Sequence, residues 1–155
     1  MGRINHIDNS CKKEHKNKII ILKENKKGSC NSTYEMENKN KEPITIIDIE
    51  NCIYKNNNIS KRCDWGIETR GTVYFIELKG IDFDKGFQQL YETIIDMESC
   101  FKGKQIKARL VVSRVSSIDI LKKDLFYKKL SKKIFYIPLK NDHIIYKSNN
   151  IKETI

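Results

Sequence analysis

Asp64, Glu77 and Lys79 are the residues of this chain whose types and spacing point most directly to chemistry. Two carboxylates on one side of a sheet supply the oxygen ligands that a hard divalent cation takes. A lysine beside them reaches a water or a phosphate oxygen as a compact positive charge. Together these are the parts of a metal-assisted hydrolytic site, which makes the chain a candidate nuclease.

A hairpin must bring them together, and the residues specify one. Thr69-Arg70-Gly71-Thr72 predicts a two-residue turn, with Gly71 available for the positive φ that such loops favour. With Arg70 and Gly71 at the tip, paired residues have numbers that sum to 141. Asp64 then faces Glu77, Gly66 faces Phe75, and Glu68 faces Val73. The reverse side pairs Cys63 with Leu78, Trp65 with Ile76, and Ile67 with Tyr74, all apolar or aromatic. That side predicts burial, and a slip of one residue would mix the two sets. Directly opposed side chains have Cβ atoms about 4.5–5.5 Å apart, where like charges repel. A cation between Asp64 and Glu77 is the simplest reason to keep both. Lys79 lies two residues beyond Glu77 and points to the same side.

Glu-x-Lys is common in so lysine-rich a chain: it occurs at Glu14–Lys16, Glu24–Lys26, Glu37–Lys39 and Glu77–Lys79. The first three sit among lysines and asparagines and read as solvated charges. Only the fourth lies inside an apolar strand and has an acid across from it. The competing reading is an edge hairpin with a salt-bridged Glu–Lys pair, which leaves Asp64 unexplained.

Asp64, twelve intervening residues, Glu77-Leu78-Lys79 and a following helix with Gln88-Gln89-Leu90 resemble the PD-(D/E)xK nuclease superfamily. The likeness is greatest to small members such as archaeal-type Holliday junction resolvases and restriction-endonuclease-like domains. It spans residues 44–113, under half of the chain. The resemblance implies that Asp64, Glu77 and the main-chain carbonyl of Leu78 hold Mg²⁺ or Mn²⁺, and that Lys79 orients or activates the attacking water. It also gives weight to Gln89 as a further catalytic residue. Cys63 stands where the family usually has proline. The glutamate that the family often carries on an N-terminal helix stays open among Glu14, Glu24, Glu35 and Glu37.

The elements around the hairpin follow from pattern. Residues 1–43 form a polar arm with one apolar run, Ile19-Ile20-Ile21-Leu22, which fits either a strand or the middle of a helix. Residues 29–43 read as a loop, and the arm is either partly disordered or an integrated element. Residues 44–155 read as one nuclease-like domain. Ile44 to Tyr54 is β-rich, and the Asn56-Asn57-Asn58 tip leads to a strand beginning near Arg62, completing a three-stranded meander. Asp82 or Asp84 caps a helix to about Cys100, with Phe87, Leu90, Tyr91, Ile94 and Met97 at helical spacing. Gly86, Gln89 and Thr93 form an adjacent small and polar stripe, so Gln89 can look toward the metal side. Lys107 to Ser113 predicts a buried strand, parallel to the meander because a helix crosses to it. Ser116 or Ser117 caps a second helix to about Lys132, with Ile118, Leu121, Leu125 and Leu130 inward. Strands around Ile134–Pro138 and His143–Tyr146 and a polar tail close the chain, with His143 a strand residue rather than a ligand. The expected fold is α/β, a mixed β-sheet that combines the meander, a crossover helix and further strands, flanked by helices; the resemblance implies that this is a restriction-endonuclease-like core.

Lys+Arg of 30 against Asp+Glu of 20 gives a net charge of +10 and a pI near 9.3, a balance that favours DNA or another polyanion. Lys122, Lys129 and Lys133 share one side of the second helix; with Arg62 they are the candidate nucleic-acid contacts. The five cysteines, Cys11, Cys30, Cys52, Cys63 and Cys100, show no CxxC spacing and predict free thiols in a reducing cytoplasm. No apolar h-region opens the chain and no run approaches the length of a membrane span, so no membrane partner is expected. A homodimer is left open. The expected function is a Mg²⁺-dependent DNA endonuclease, junction-resolvase-like or restriction- or repair-related; the alternative is a non-catalytic nucleic-acid- or protein-binding module on the same fold.

Overall fold

The computed structural model describes residues 3–23, 32–56, 62–79, 83–113, 124–134 and 142–155. The strands are β1 (Lys12–His15), β2 (Ile19–Lys23), β3 (Thr33–Glu37), β4 (Ile44–Asp48), β5 (Trp65–Glu68), β6 (Thr72–Leu78), β7 (Gln105–Val112), β8 (Ile144–Ser148) and β9 (Asn150–Thr154). Helix α1 spans Phe83–Met97 and helix α2 spans Leu125–Ile134. One sheet has the order β1-β4-β5-β6-β7-β8, antiparallel from β1 to β6 and parallel from β6 to β8. A second sheet has the order β2-β3-β9. The protein is thus mixed α/β, with a mixed sheet flanked by helices.

β6 explains the layering. Its residues 73–78 are buried on both faces, as expected of a strand with a covering layer on each side. Val73 and Phe75 join Phe87, Leu90, Ile94, Met97, Leu130 and Ile134 in a core beneath α1 and α2. Tyr74, Ile76 and Leu78 join Ile20, Leu22, Tyr34, Met36 and Ile151 in a core beneath the second sheet. Gly86 lets α1 lie close to β7, since a Cβ there would meet Leu110 Cδ1 at 2.6 Å.

The meander β4-β5-β6, the crossover by α1 and the parallel β7 match the sequence-based expectation. Elsewhere the structure differs. The run Ile19–Leu22 is a strand with Ile20 and Leu22 buried and Ile19 and Ile21 exposed. Residues 29–43, expected as loop, contain β3, which pairs with β2 on one side and with β9 on the other. β9 itself replaces the expected polar tail. Both strands carry only one or two buried apolar residues, so their period-2 signal is weak. The β-rich stretch to Tyr54 ends as strand at Asp48 and continues as a π-helical segment, Ile49–Ile53, capped where the Asn51 N–H donates to Asp48. Leu125, expected inward, is exposed because α2 buries Leu130 and Ile134 at four-residue spacing. The Asp124 side chain caps this helix by accepting the Tyr127 N–H at 2.7 Å. Ile134 ends α2, and the rest of the strand expected to Pro138 lies outside the described residues. The expected caps Ser116 and Ser117, with Ile118, Leu121 and Lys122, lie outside the described residues, as do Asp82 and Cys30.

Two local expectations are corrected. Gly71 does not adopt positive φ; among the described residues that backbone region is used by Lys41, Gly103 and Asn149. The Thr69 hydroxyl closes the turn instead, accepting the Thr72 N–H at 3.1 Å. Cys11 and Cys52 are not free thiols but a disulfide across 41 residues of sequence, which their 5.5 Å Cα separation permits. Cys63 and Cys100 are free, the first fully buried.

Candidate metal centre

The hairpin has the register that the turn predicts: Trp65 opposite Ile76, Gly66 opposite Phe75, Ile67 opposite Tyr74 and Glu68 opposite Val73. The ladder stops at Trp65, while β6 continues through Glu77 and Leu78. Beyond that point the two acids take over from backbone pairing. Asp64 Oδ2 accepts the Leu78 N–H at 2.8 Å, and Glu77 Oε2 accepts the Asp64 N–H at 3.1 Å. Asp64 and Glu77 therefore clasp each other's strands reciprocally. In an extended strand a residue's N–H and C=O point the same way, so the Leu78 carbonyl lies on the Asp64 side. Lys79 Nζ stands 3.3 Å from Glu77 Oε1.

Glu77 is 2 % exposed and Lys79 19 %, so the pair is largely desolvated. Burial pushes the Glu77 carboxyl well above the ordinary carboxylate range; the Asp64 charge pushes it further, and Lys79 opposes both. Glu50 adds to the upward push. Nothing in the residue types around Glu50 marked it in advance. Its placement comes from the π-helical segment, whose first N–H groups, those of Ile49 and Glu50, donate to the Asp64 carbonyl at 3.1 and 3.4 Å.

α1 supports Asp64 from behind. Gln89 Nε2 donates to the Arg62 carbonyl at 3.0 Å, and Thr93 Oγ1 accepts the Cys63 N–H at 2.9 Å. Gln89 thus holds the chain that delivers Asp64. Thr93→Val would leave the buried Cys63 N–H without its acceptor, and it should lower stability by about 1–3 kcal/mol, read from urea denaturation.

The candidate nucleic-acid contacts separate. Arg62 is buried, 1 % exposed, and is ion-paired to Asp96 at 2.7 Å and to Glu92 at 3.2 Å, with Tyr54 under its guanidinium. An arginine so enclosed ties α1 to the strand before Asp64 and does not face a nucleic acid. Lys129 and Lys133 are exposed on α2; Lys129 stands over the Tyr91 and Phe126 rings, and Lys133 pairs with Glu98. Lys122 lies outside the described residues.

Among the described residues, no three His, Cys, Asp or Glu side chains are grouped to hold a metal. A cation here would rest on the carboxylates of Asp64 and Glu77, the Leu78 carbonyl and water. Such an all-oxygen set suits Mg²⁺ or Mn²⁺, since Mg²⁺ is commonly bound through one or two carboxylates and keeps several waters. Comparison with protein-family models, with curated proteins and with solved structures finds no match. Among the described residues, no helix is long and apolar enough to cross a membrane.

Proposed function

We propose that the chain is a Mg²⁺- or Mn²⁺-dependent nuclease of the PD-(D/E)xK type that hydrolyses phosphodiester bonds in DNA. The observation that carries this reading is the Asp64–Glu77 clasp with Lys79 against it, on a meander followed by a crossover helix. Asp64, Glu77 and the Leu78 carbonyl would hold the cation, whose chemistry there would be to acidify a bound water and neutralise charge on the phosphate. Lys79, 3.3 Å from Glu77 Oε1, would orient the attacking water or contact the scissile phosphate. Gln89 and Thr93 keep Asp64 in place, and the lysines of α2 extend the positive surface along the substrate backbone. The proposed setting is the cytoplasm, and a homodimer would suit a symmetric junction.

The test is a cleavage panel with four-way junction, flap, nicked, single-stranded and plasmid DNA. Mn²⁺ should support cutting of at least one substrate, EDTA should abolish it, and Lys79→Ala should abolish it with metal binding retained. Cutting of equal rate by Lys79→Ala would discard the assignment.

A second reading is favoured by the clasp itself, because each carboxylate already accepts a backbone N–H and Glu77 already has Lys79. On that reading the acids are a structural cross-link in a metal-independent binding module. Salt-sensitive DNA binding with no thermal response to Mn²⁺ would favour it.

A further inference from the structure

The Cys11–Cys52 disulfide lies outside the proposed chemistry, yet it fastens the segment that supports Asp64. Cys11 ends the short 3-10 turn Asn9–Cys11, which leads directly into edge strand β1. Cys52 lies within the π-helical segment Ile49–Ile53. That segment grips the chain on both sides of Cys63. At its start, the Ile49 and Glu50 N–H groups hold the Asp64 carbonyl. At its end, Tyr54 sits against the Arg62 guanidinium, with its hydroxyl 3.4 Å from Asp96. π-helical turns are rare and typically a single turn long. This one is closed by the Asn51 N–H donating to the Asp48 side chain and the Tyr54 N–H donating to the Ile49 carbonyl. A covalent tie to the turn before β1 therefore limits how far the segment can move, and with it the backbone of Asp64.

We infer that the Cys11–Cys52 bond is a redox switch on the metal centre: oxidised, it holds Asp64 in ligand position, and reduced, it releases the segment that holds Asp64. The inference rests on the reading of Asp64 as a metal ligand. The reductant is a dithiol. One of its thiolates attacks Sγ of Cys52, the less buried of the two sulfurs' residues, and the Cys11 thiolate leaves and takes up a proton. The second thiolate of the reductant then attacks its own mixed disulfide, and Cys52 leaves and is protonated. Two electrons and two protons pass to the protein, and the dithiol becomes a disulfide. Reduced Cys11 and Cys52 remain small apolar side chains in the core beneath α1, so the fold survives while the segment loosens. In a reducing compartment such a bond is usually transient and regulatory rather than structural.

The experiment compares full-length wild type, oxidised and verified by mass under non-reducing conditions, with the same protein reduced by dithiothreitol. A Cys11→Ser/Cys52→Ser variant serves as a permanently open form. Mn²⁺ affinity is read by calorimetry, and amide exchange is read at Ile49, Glu50 and Asp64. Reduction should weaken Mn²⁺ binding about 5- to 10-fold, with faster exchange at Ile49 and Glu50 and with the variant matching the reduced form. Equal Mn²⁺ affinity in oxidised and reduced wild type overturns the switch and leaves the metal reading standing. Absence of Mn²⁺ binding in every form overturns the metal reading; exchange that then quickens on reduction supports the mechanical coupling, and unchanged exchange overturns that too.

Discussion

A Glu77→Gln protein is expected to be more stable than wild type in the absence of metal, to show no thermal response to Mn²⁺, and to cleave DNA roughly a thousandfold more slowly. The amide keeps an oxygen for the Asp64 N–H and has no ionised form to be penalised by burial beside a second carboxylate. Lys79, which loses its partner, retains some access to solvent and can rehydrate. The gain in stability should be about 1–3 kcal/mol at neutral pH. Its pH dependence has a definite sign. The Glu77 carboxyl is raised in the folded state above its ordinary value of 4.5. Below that value it is protonated in both states and contributes nothing. As the pH rises above it, the unfolded chain ionises while the folded carboxyl resists, so the metal-free wild type loses stability until the pH passes the folded pKa. Glu77→Gln lacks this loss, and its advantage over wild type should widen across that window. If Mn²⁺ binds Glu77 it must compete with the Glu77 proton, so its stabilisation of wild type should grow in the same direction. Thermal melts at several pH values, with EDTA or with Mn²⁺, check both trends.

Glu153→Ala should cost about 3–5 kcal/mol in urea denaturation, because it strands a buried guanidinium. Arg109 on β7 is fully buried between the two sheets, and its Nε and Nη2 donate to Glu153 at 2.8 and 2.7 Å. The Tyr34 hydroxyl donates to the same carboxylate, and the Tyr74 ring lies 5.4 Å from the guanidinium carbon. Burial, then the Glu153 charge, pushes the Tyr74 hydroxyl up to about 12, so that tyrosine stays neutral throughout the working range. One carboxylate near the end of the chain thus anchors β9, β3 and β7 together. An Arg109→Met/Glu153→Leu pair should recover most of the loss, since it removes both charges and fills similar volume. Failure of the single variant to lose stability would mean that the two sheets are not joined through this pair.

Much of the site was legible in the residues. A turn with defined ends and a strict period-2 pattern allow only one register, and that register puts Asp64 and Glu77 together. Helical spacing over Phe87, Leu90, Ile94 and Met97 placed α1 on the sheet, and a helical crossover made β7 parallel. These are local signals, spread over a few dozen consecutive residues.

What only the tertiary structure decided depends on partners distant in sequence. β3 becomes a strand because Thr33 finds Asn150, and β1 because Lys12 finds Ile47; neither segment is apolar enough to announce itself. Arg62 looks like any surface arginine until Glu92 and Asp96 of α1 enclose it. The Cys11–Cys52 pairing and the approach of Glu50 to Glu77 follow from where the π-helical segment lands, against the turn before β1 and against β5. A residue type determines what a side chain can do, and short-range periodicity determines which way it points. Whether a charge is solvated, paired or poised for a metal is settled by the desolvation that other elements impose when they pack around it.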